Sequence, residues 1–119
     1  MEKKASLIFK VVLLLLLGML AQTTRAYAAQ TFISCTPVQV MTFPERVHVR
    51  CAAAVGGISF FAVSTKDAAY AARVLSVIST AQVAGRTLTI LYDPADLSGA
   101  AIGCQNTDCR LILGVGFGQ

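Results

Sequence analysis

The chain has 119 residues, of which 55% are hydrophobic and 13% charged, with a formal net charge of +4 at pH 7. Most of that excess charge lies near the start. Residues 29–119 hold Arg46, Arg50, Lys66, Arg73, Arg86 and Arg110 against Glu45, Asp67, Asp93, Asp96 and Asp108, which is nearly neutral and leaves no clustered basic face for a nucleic acid.

The first stretch reads as a secretory signal peptide over residues 1–28. Lys3, Lys4 and Lys10 form a basic start, an apolar run extends from Val11 past Gly18 to Ala21, and Ala26-Tyr27-Ala28 offers the small residues a signal peptidase reads. The run falls short of the about 20 apolar residues a spanning helix needs, so no stable membrane span is expected once it is removed. Residues 29–119 then form one small domain, secreted or periplasmic. A domain of that size has a modest core and gains from covalent closure in an oxidising compartment.

The first strand is expected in "QTFISCTPVQVMTF", with Val38 and Val40 alternating with polar residues and Pro37 marking an edge or bulge. After the turn "FPER", the segment "RVHVRCAAAV" places Val47, Val49 and Cys51 on one face and Arg46, His48 and Arg50 on the other. That period of two predicts a half-buried strand, with His48 facing solvent. Gly56 and Gly57 signal a hairpin into a third strand, "ISFFAVS".

The period then changes. Ala71, Val74, Leu75, Ile78 and Ala81 form one stripe at helical spacing. Ser64 and Asp67 resemble a capping box, and Gly85 is placed for the C-terminal cap. Lys66, Arg73 and Thr80 lie on the opposite side, the pattern of a solvated helix face. "RTLTILY" reads as a strand ended by "DPAD", and "SGAAIG" as a short strand. "RLILGVGF" is expected as the last strand, with Leu111, Leu113, Val115 and Phe117 on one face. Gly114 and Gly116 leave the other face bare for internal packing or for a neighbour.

Cys35, Cys51, Cys104 and Cys109 allow three pairings. Cys104 and Cys109 stand close enough to close a small loop, which leaves Cys35 with Cys51. His48 is the chain's one histidine, and these cysteine spacings do not match a zinc site, so disulfides are expected and no metal or other cofactor. The order of elements predicts a mainly β fold with one α-helix, β-β-β-α-β-β-β, closed as a small OB-fold-like antiparallel barrel. A catalytic set is missing: His48 has no partner pattern, and Asp93 and Asp96 suit a turn. The expectation is a binding module and not an enzyme.

"GRTLTILYDP", Gly85 to Pro94, resembles the segment that leaves the helix in the binding subunit of subtilase cytotoxin and its typhoid- and pertussis-type relatives. "AAIGCQNTDC" resembles that family's penultimate strand and cysteine-closed loop. The likeness covers roughly the second half of residues 29–119. It implies an OB-fold subunit in a homo-pentamer that binds sialylated cell-surface glycans and carries a separate catalytic A subunit. The serine that the family uses near the start of its first strand maps onto Ser34, the carbohydrate-binding residue the resemblance implies. Two features depart from the family. Cys35 lies on the first strand, whereas the family's first disulfide joins the second and third. Gln82 stands where the family has a sugar-gripping aromatic. The competing expectation is a periplasmic interaction or inhibitor protein with no glycan target.

Overall fold

In a computed structural model, residues 29–118 are described; the expected signal peptide, residues 1–28, lies outside them. Among the described residues, seven strands and one α-helix form two sheets around a shared core. Strands β1 (Thr31–Cys35) and β2 (Pro37–Thr42) precede the long hairpin of β3 (Arg46–Val55) and β4 (Ile58–Ser64). Helix α1 (Ala68–Ala84) leads to β5 (Leu88–Tyr92), a 3-10 helix (Ser98–Ile102), β6 (Cys109–Leu111) and β7 (Gly114–Phe117). One sheet has the order β1-β5-β7 and the other β2-β3-β4-β6.

The alternation in β3 works as its sequence indicates: Val47, Val49 and Cys51 are buried, and the residues between them are not. They meet Phe61 and Val63 of β4, Leu88, Ile90 and Tyr92 of β5, and the helix stripe. In that stripe Ala71, Val74, Ile78 and Ala81 are buried and Leu75 is half-buried. Gly85 ends the helix in the left-handed region at φ 64°, and the Arg86 N–H donates to the Ala81 carbonyl at 2.8 Å.

Five local expectations are corrected. The first strand is two strands, broken at Thr36. Pro37 has no N–H to continue a ladder, and a register shift follows between Pro37 and Gln39. Before the break the chain pairs with β5, and after it with β3, so the bend hands the chain from one sheet to the other. The last strand is likewise divided at Ile112–Leu113, which inverts the expected facing: Ile112 is 4% exposed and Leu113 41%.

Pairing is also not wholly antiparallel. β6 runs parallel to β4, with Phe60 opposite Cys109 and Ala62 opposite Leu111, because the helix and β5 supply the long crossover a parallel return requires. "SGAAIG" is the 3-10 helix instead of a strand. Asp96 Oδ1 accepts from the Ser98 N–H at 2.9 Å at its start, and Gly99, its second residue, is buried against Cys104, which folds back onto it. Finally, the helix cap is Asp67 alone: its carboxylate accepts from the Tyr70 N–H at 2.9 Å, whereas Ser64 Oγ accepts from the Lys66 N–H outside the helix.

Both expected disulfides are formed. Cys35–Cys51 spans a sequence separation of 16 and ties β1 to β3 at the corner between sheets. Cys104–Cys109 spans 5 residues and closes the loop ahead of β6. Among the described residues, no helix is long and apolar enough to cross a membrane.

Candidate binding site

The face of β3 turned away from the core carries Arg46, His48 and Arg50. The next strand sets Phe60 beside them, opposite Arg50, and the turn before β3 contributes Phe43. His48 therefore does not stand free in solvent, as its strand position alone suggests. Its ring lies 5.2 Å edge-on from Phe43 and 5.4 Å from Phe60, the spacing of stabilising aromatic pairs. The imidazole Nε2 is sealed from water and has no hydrogen-bond partner. Burial, and then the neighbouring Arg46 guanidinium, hold its pKa below the ordinary value of 6.5.

Arg46 is fixed from two sides. Its guanidinium carbon lies 4.0 Å from the Phe43 ring centre, a cation–π contact, and Nη1 donates to the Ile102 carbonyl at 2.9 Å. That hydrogen bond brings the end of the 3-10 helix over β3. Gly103 follows at φ 81°, where a side chain is strained, and a Cβ there would lie 2.5 Å from Arg46 Nη1. The backbone conformation favours glycine, and any side chain there would also have to displace the Arg46 guanidinium.

The disulfide loop forms the remaining wall. The Asp108 carbonyl accepts from the Ser59 and Phe60 N–H groups at 2.9 and 3.0 Å, fastening the loop to β4. Arg110 braces it through bonds of 2.7 Å to the carbonyls of Pro94 and Asn106. Between loop and sheet lies a cleft of about 170 Å³, lined by Arg46, His48, Phe60, Gln105 and Asp108. A basic, an acidic, a carboxamide and an aromatic residue thus line it, on supports fixed by the sheet and the disulfide. Such a set can orient a small polar ligand through hydrogen bonds while an apolar surface shields one side.

The other singled-out residues lie elsewhere. Ser34 is exposed on β1 and does not line the cleft. It sits opposite Thr89, which is opposite Gly116; in the next such row Phe32, Leu91 and Gly114 align. The bare glycine strip is on the outside: a Cβ on Gly116 would meet nothing within 4 Å, and one on Gly114 only Leu91. This outer face holds no charge, and its Phe32 is 67% exposed. Gln82, Lys66 and Arg73 are exposed, with Arg73 5.7 Å from the Tyr70 ring centre.

Asp93 and Asp96 cap the turns they begin, accepting from the N–H groups of Ala95 and Ser98. The hydrogen bonds from Ser98 hold Asp96 below the usual carboxylate range. A second, apolar depression of about 300 Å³ lies between the start of α1 and the β6–β7 bend, with the Tyr70 hydroxyl sealed and unpartnered. Among the described residues, no group of three or more His, Cys, Asp or Glu is placed to hold a metal ion.

The sequence signalled one wall of the cleft, the polar face of β3 and the small loop, but not their meeting with Phe43 and Phe60. No family model, curated protein or solved structure matches the chain.

Proposed function

We propose that the protein is an exported, non-enzymatic binding subunit that recognises cell-surface glycans, and that it acts as an oligomer beside a separate catalytic subunit, as the AB5 toxin binding subunits it resembles do. The cleft between β3 and the disulfide loop carries this reading. Sugars are bound by planar hydrogen-bonding side chains set beside an apolar ring, and Arg46, Gln105, Asp108 and Phe60 line this one cleft. Arg46 suits a sialic-acid carboxylate, because its guanidinium offers paired donors.

The fold reading is an OB-type barrel. Each bent pair, β1 with β2 and β6 with β7, is taken as one strand, and the helix as the element between the third and fourth strands. The two hand-over bends support this. They link the sheets at both corners, and β4 and β6 pair in parallel between them. Assembly is supported by the uncharged outer face of β1-β5-β7 and by Val83, 90% exposed near the end of α1. Export to the periplasm or beyond is supported by the leader pattern together with two formed disulfides and no free cysteine.

A glycan array probed with the purified exported protein tests the binding claim. Sialylated hits that disappear with Asp108→Ala are expected. An array without hits for protein of confirmed oligomeric state would sink it and favour the periplasmic interaction role. Light scattering tests assembly: a strict monomer at high concentration removes the ring.

A further inference from the structure

We propose that Phe43 is a specificity-determining residue of this cleft: its ring, together with the bare backbone of Gly103, holds the Arg46 guanidinium in one setting, and the site selects ligands by a carboxylate that meets the guanidinium's remaining edge. The inference rests on the cleft being the binding site, but the clamp itself is a property of the free protein.

The arrangement begins in the turn. Phe43 and Arg46 are the two ends of "FPER", and they close it reciprocally: the Phe43 N–H donates to the Arg46 carbonyl at 2.7 Å, and the Arg46 N–H donates to the Phe43 carbonyl at 3.3 Å. Pro44 inside the turn has its φ fixed by its own ring. Thr65, just past the end of β4, fastens the turn from outside. Its hydroxyl donates to the Pro44 carbonyl at 2.6 Å and its N–H to the Glu45 carbonyl at 3.1 Å. On this frame the Arg46 guanidinium carbon comes within 4.0 Å of the Phe43 ring centre. The ring is held from its other side as well. It packs edge-on to His48 at 5.2 Å, and His48 in turn leans on Phe60 at 5.4 Å.

The guanidinium is closed at one end. Nη1 donates to the Ile102 carbonyl at 2.9 Å, and a Cβ on Gly103 would lie 2.5 Å from Nη1 and 3.3 Å from Cζ. The tip of Arg46 thus takes the space that any side chain at position 103 needs. Among the described residues no other hydrogen bond engages the guanidinium, so Nε and Nη2 keep their donors. The N–H groups of those two nitrogens run parallel along one edge of the planar group, and such a fork matches the two oxygens of a carboxylate. With a ring over one face and Nη1 spent, that edge is what Arg46 leaves for a ligand in the cleft it lines. An unclamped arginine attracts anions too, but it must lose its rotamer freedom on binding. Here that ordering is completed on folding, which is worth about 2- to 12-fold in affinity for the group it recognises.

The test compares two probes on the exported protein: sialyllactose, and sialyllactose with its carboxyl reduced to the alcohol. The quantity read is the ratio of their affinities, since a general loosening of the fold weakens both together. The natural protein should prefer the carboxylate form. Phe43→Leu should cut that preference about 2- to 12-fold, and Phe43→Tyr, which keeps an aromatic face, should retain it. Gly103→Ala should lower the same ratio with Phe43 in place, and it provides the test if Phe43→Leu fails to fold. In the ligand-free protein the Arg46 side-chain NMR signals, assigned with Arg46→Lys, should be displaced upfield by the Phe43 ring, and they should lose that displacement in Phe43→Leu alone of the two Phe43 variants. A preference untouched by Phe43→Leu and Gly103→Ala, or Arg46 signals at their ordinary positions, would each overturn the clamp and leave glycan binding standing. Failure of both sugars to bind a protein whose Arg46 signals are displaced defeats the glycan reading, and the selection with it, while the fixed arginine remains.

Discussion

Removal of each disulfide in turn separates stability from recognition. A crosslink acts mainly by reducing the freedom of the unfolded chain, and the effect grows with the loop closed. For the Cys35–Cys51 separation of 16 the chain-entropy relation gives about 3 kcal/mol at 25 °C, and for the Cys104–Cys109 separation of 5 about 2 kcal/mol. All four cysteines are buried, so truncation to Ala adds a packing loss of similar size to both variants and largely cancels in the comparison. For a domain of this size, a kcal/mol corresponds to about 4–8 °C in Tm. Cys35→Ala/Cys51→Ala should then melt about 12–24 °C lower from the crosslink alone, and Cys104→Ala/Cys109→Ala about 8–16 °C lower. Glycan binding should follow the opposite order, since the shorter staple shapes a wall of the cleft and the longer one a corner between sheets. Urea denaturation and glycan capture of the two double variants decide it. Equal stability losses, or a larger loss from the shorter loop, would refute the unfolded-state account; a short-loop variant that binds sugar normally would refute the placement of the site.

Gly103→Ala forces a side chain into φ 81° and against Arg46 Nη1, so a loss of about 1–3 kcal/mol is expected by thermal melting, with displacement of Arg46 from the Ile102 carbonyl. Ile78→Ala empties the centre of the helix–sheet contact and should cost about 2–5 kcal/mol in denaturant, whereas Val83→Ala, on the exposed side, should leave the monomer's stability nearly unchanged. Because His48 has a folded pKa below its unfolded value of 6.5, the unfolded state binds the extra proton first. Its stability contribution is complete above about pH 6.5 and declines as pH falls, so urea midpoints should drop between about pH 7.5 and pH 5 in the natural protein and remain flatter in His48→Gln. Asp96 loses its contribution only as pH falls below its ordinary 3.8 toward its lower folded pKa, so the two groups report in separate windows.

Elements governed by local repetition were legible. The alternation of Val47, Val49 and Cys51, the stripe from Ala71 to Ala81 and the Gly85 cap are each set by near neighbours along the chain, and they occur as the pattern indicates. The bends are different in kind. Ile112 and Leu113 exchange the burial expected of them because β6 must reach β4 while β7 must reach β5. No short-range period encodes that demand. "SGAAIG" is apolar enough for a strand, but the Asp96 carboxylate holds the Ser98 N–H at one end and Cys104 folds back from the other to pack on Gly99, which favours a 3-10 turn. Both partners lie outside the segment itself.

The site shows the same division with a sharper consequence. Period two assigns His48 to the side of β3 away from the core, and that assignment is correct. It does not follow that this side is wet. Phe43 arrives from a turn and Phe60 from the next strand, and their rings flank the imidazole at 5.2 and 5.4 Å. A histidine in water titrates near its ordinary pKa; the same residue, partly buried between two rings with Arg46 beside it, has its pKa lowered, by burial first and by the guanidinium second. The two rings therefore shelter the residue, and Phe60 is in turn fastened to the loop that Cys104 and Cys109 close, its N–H donating to the Asp108 carbonyl at 3.0 Å. Opening that disulfide should raise the His48 midpoint toward 6.5 as the ring regains water. A midpoint unmoved in Cys104→Ala/Cys109→Ala would mean that β4 and the Phe43 turn alone shelter the ring and that the staple has no part in it.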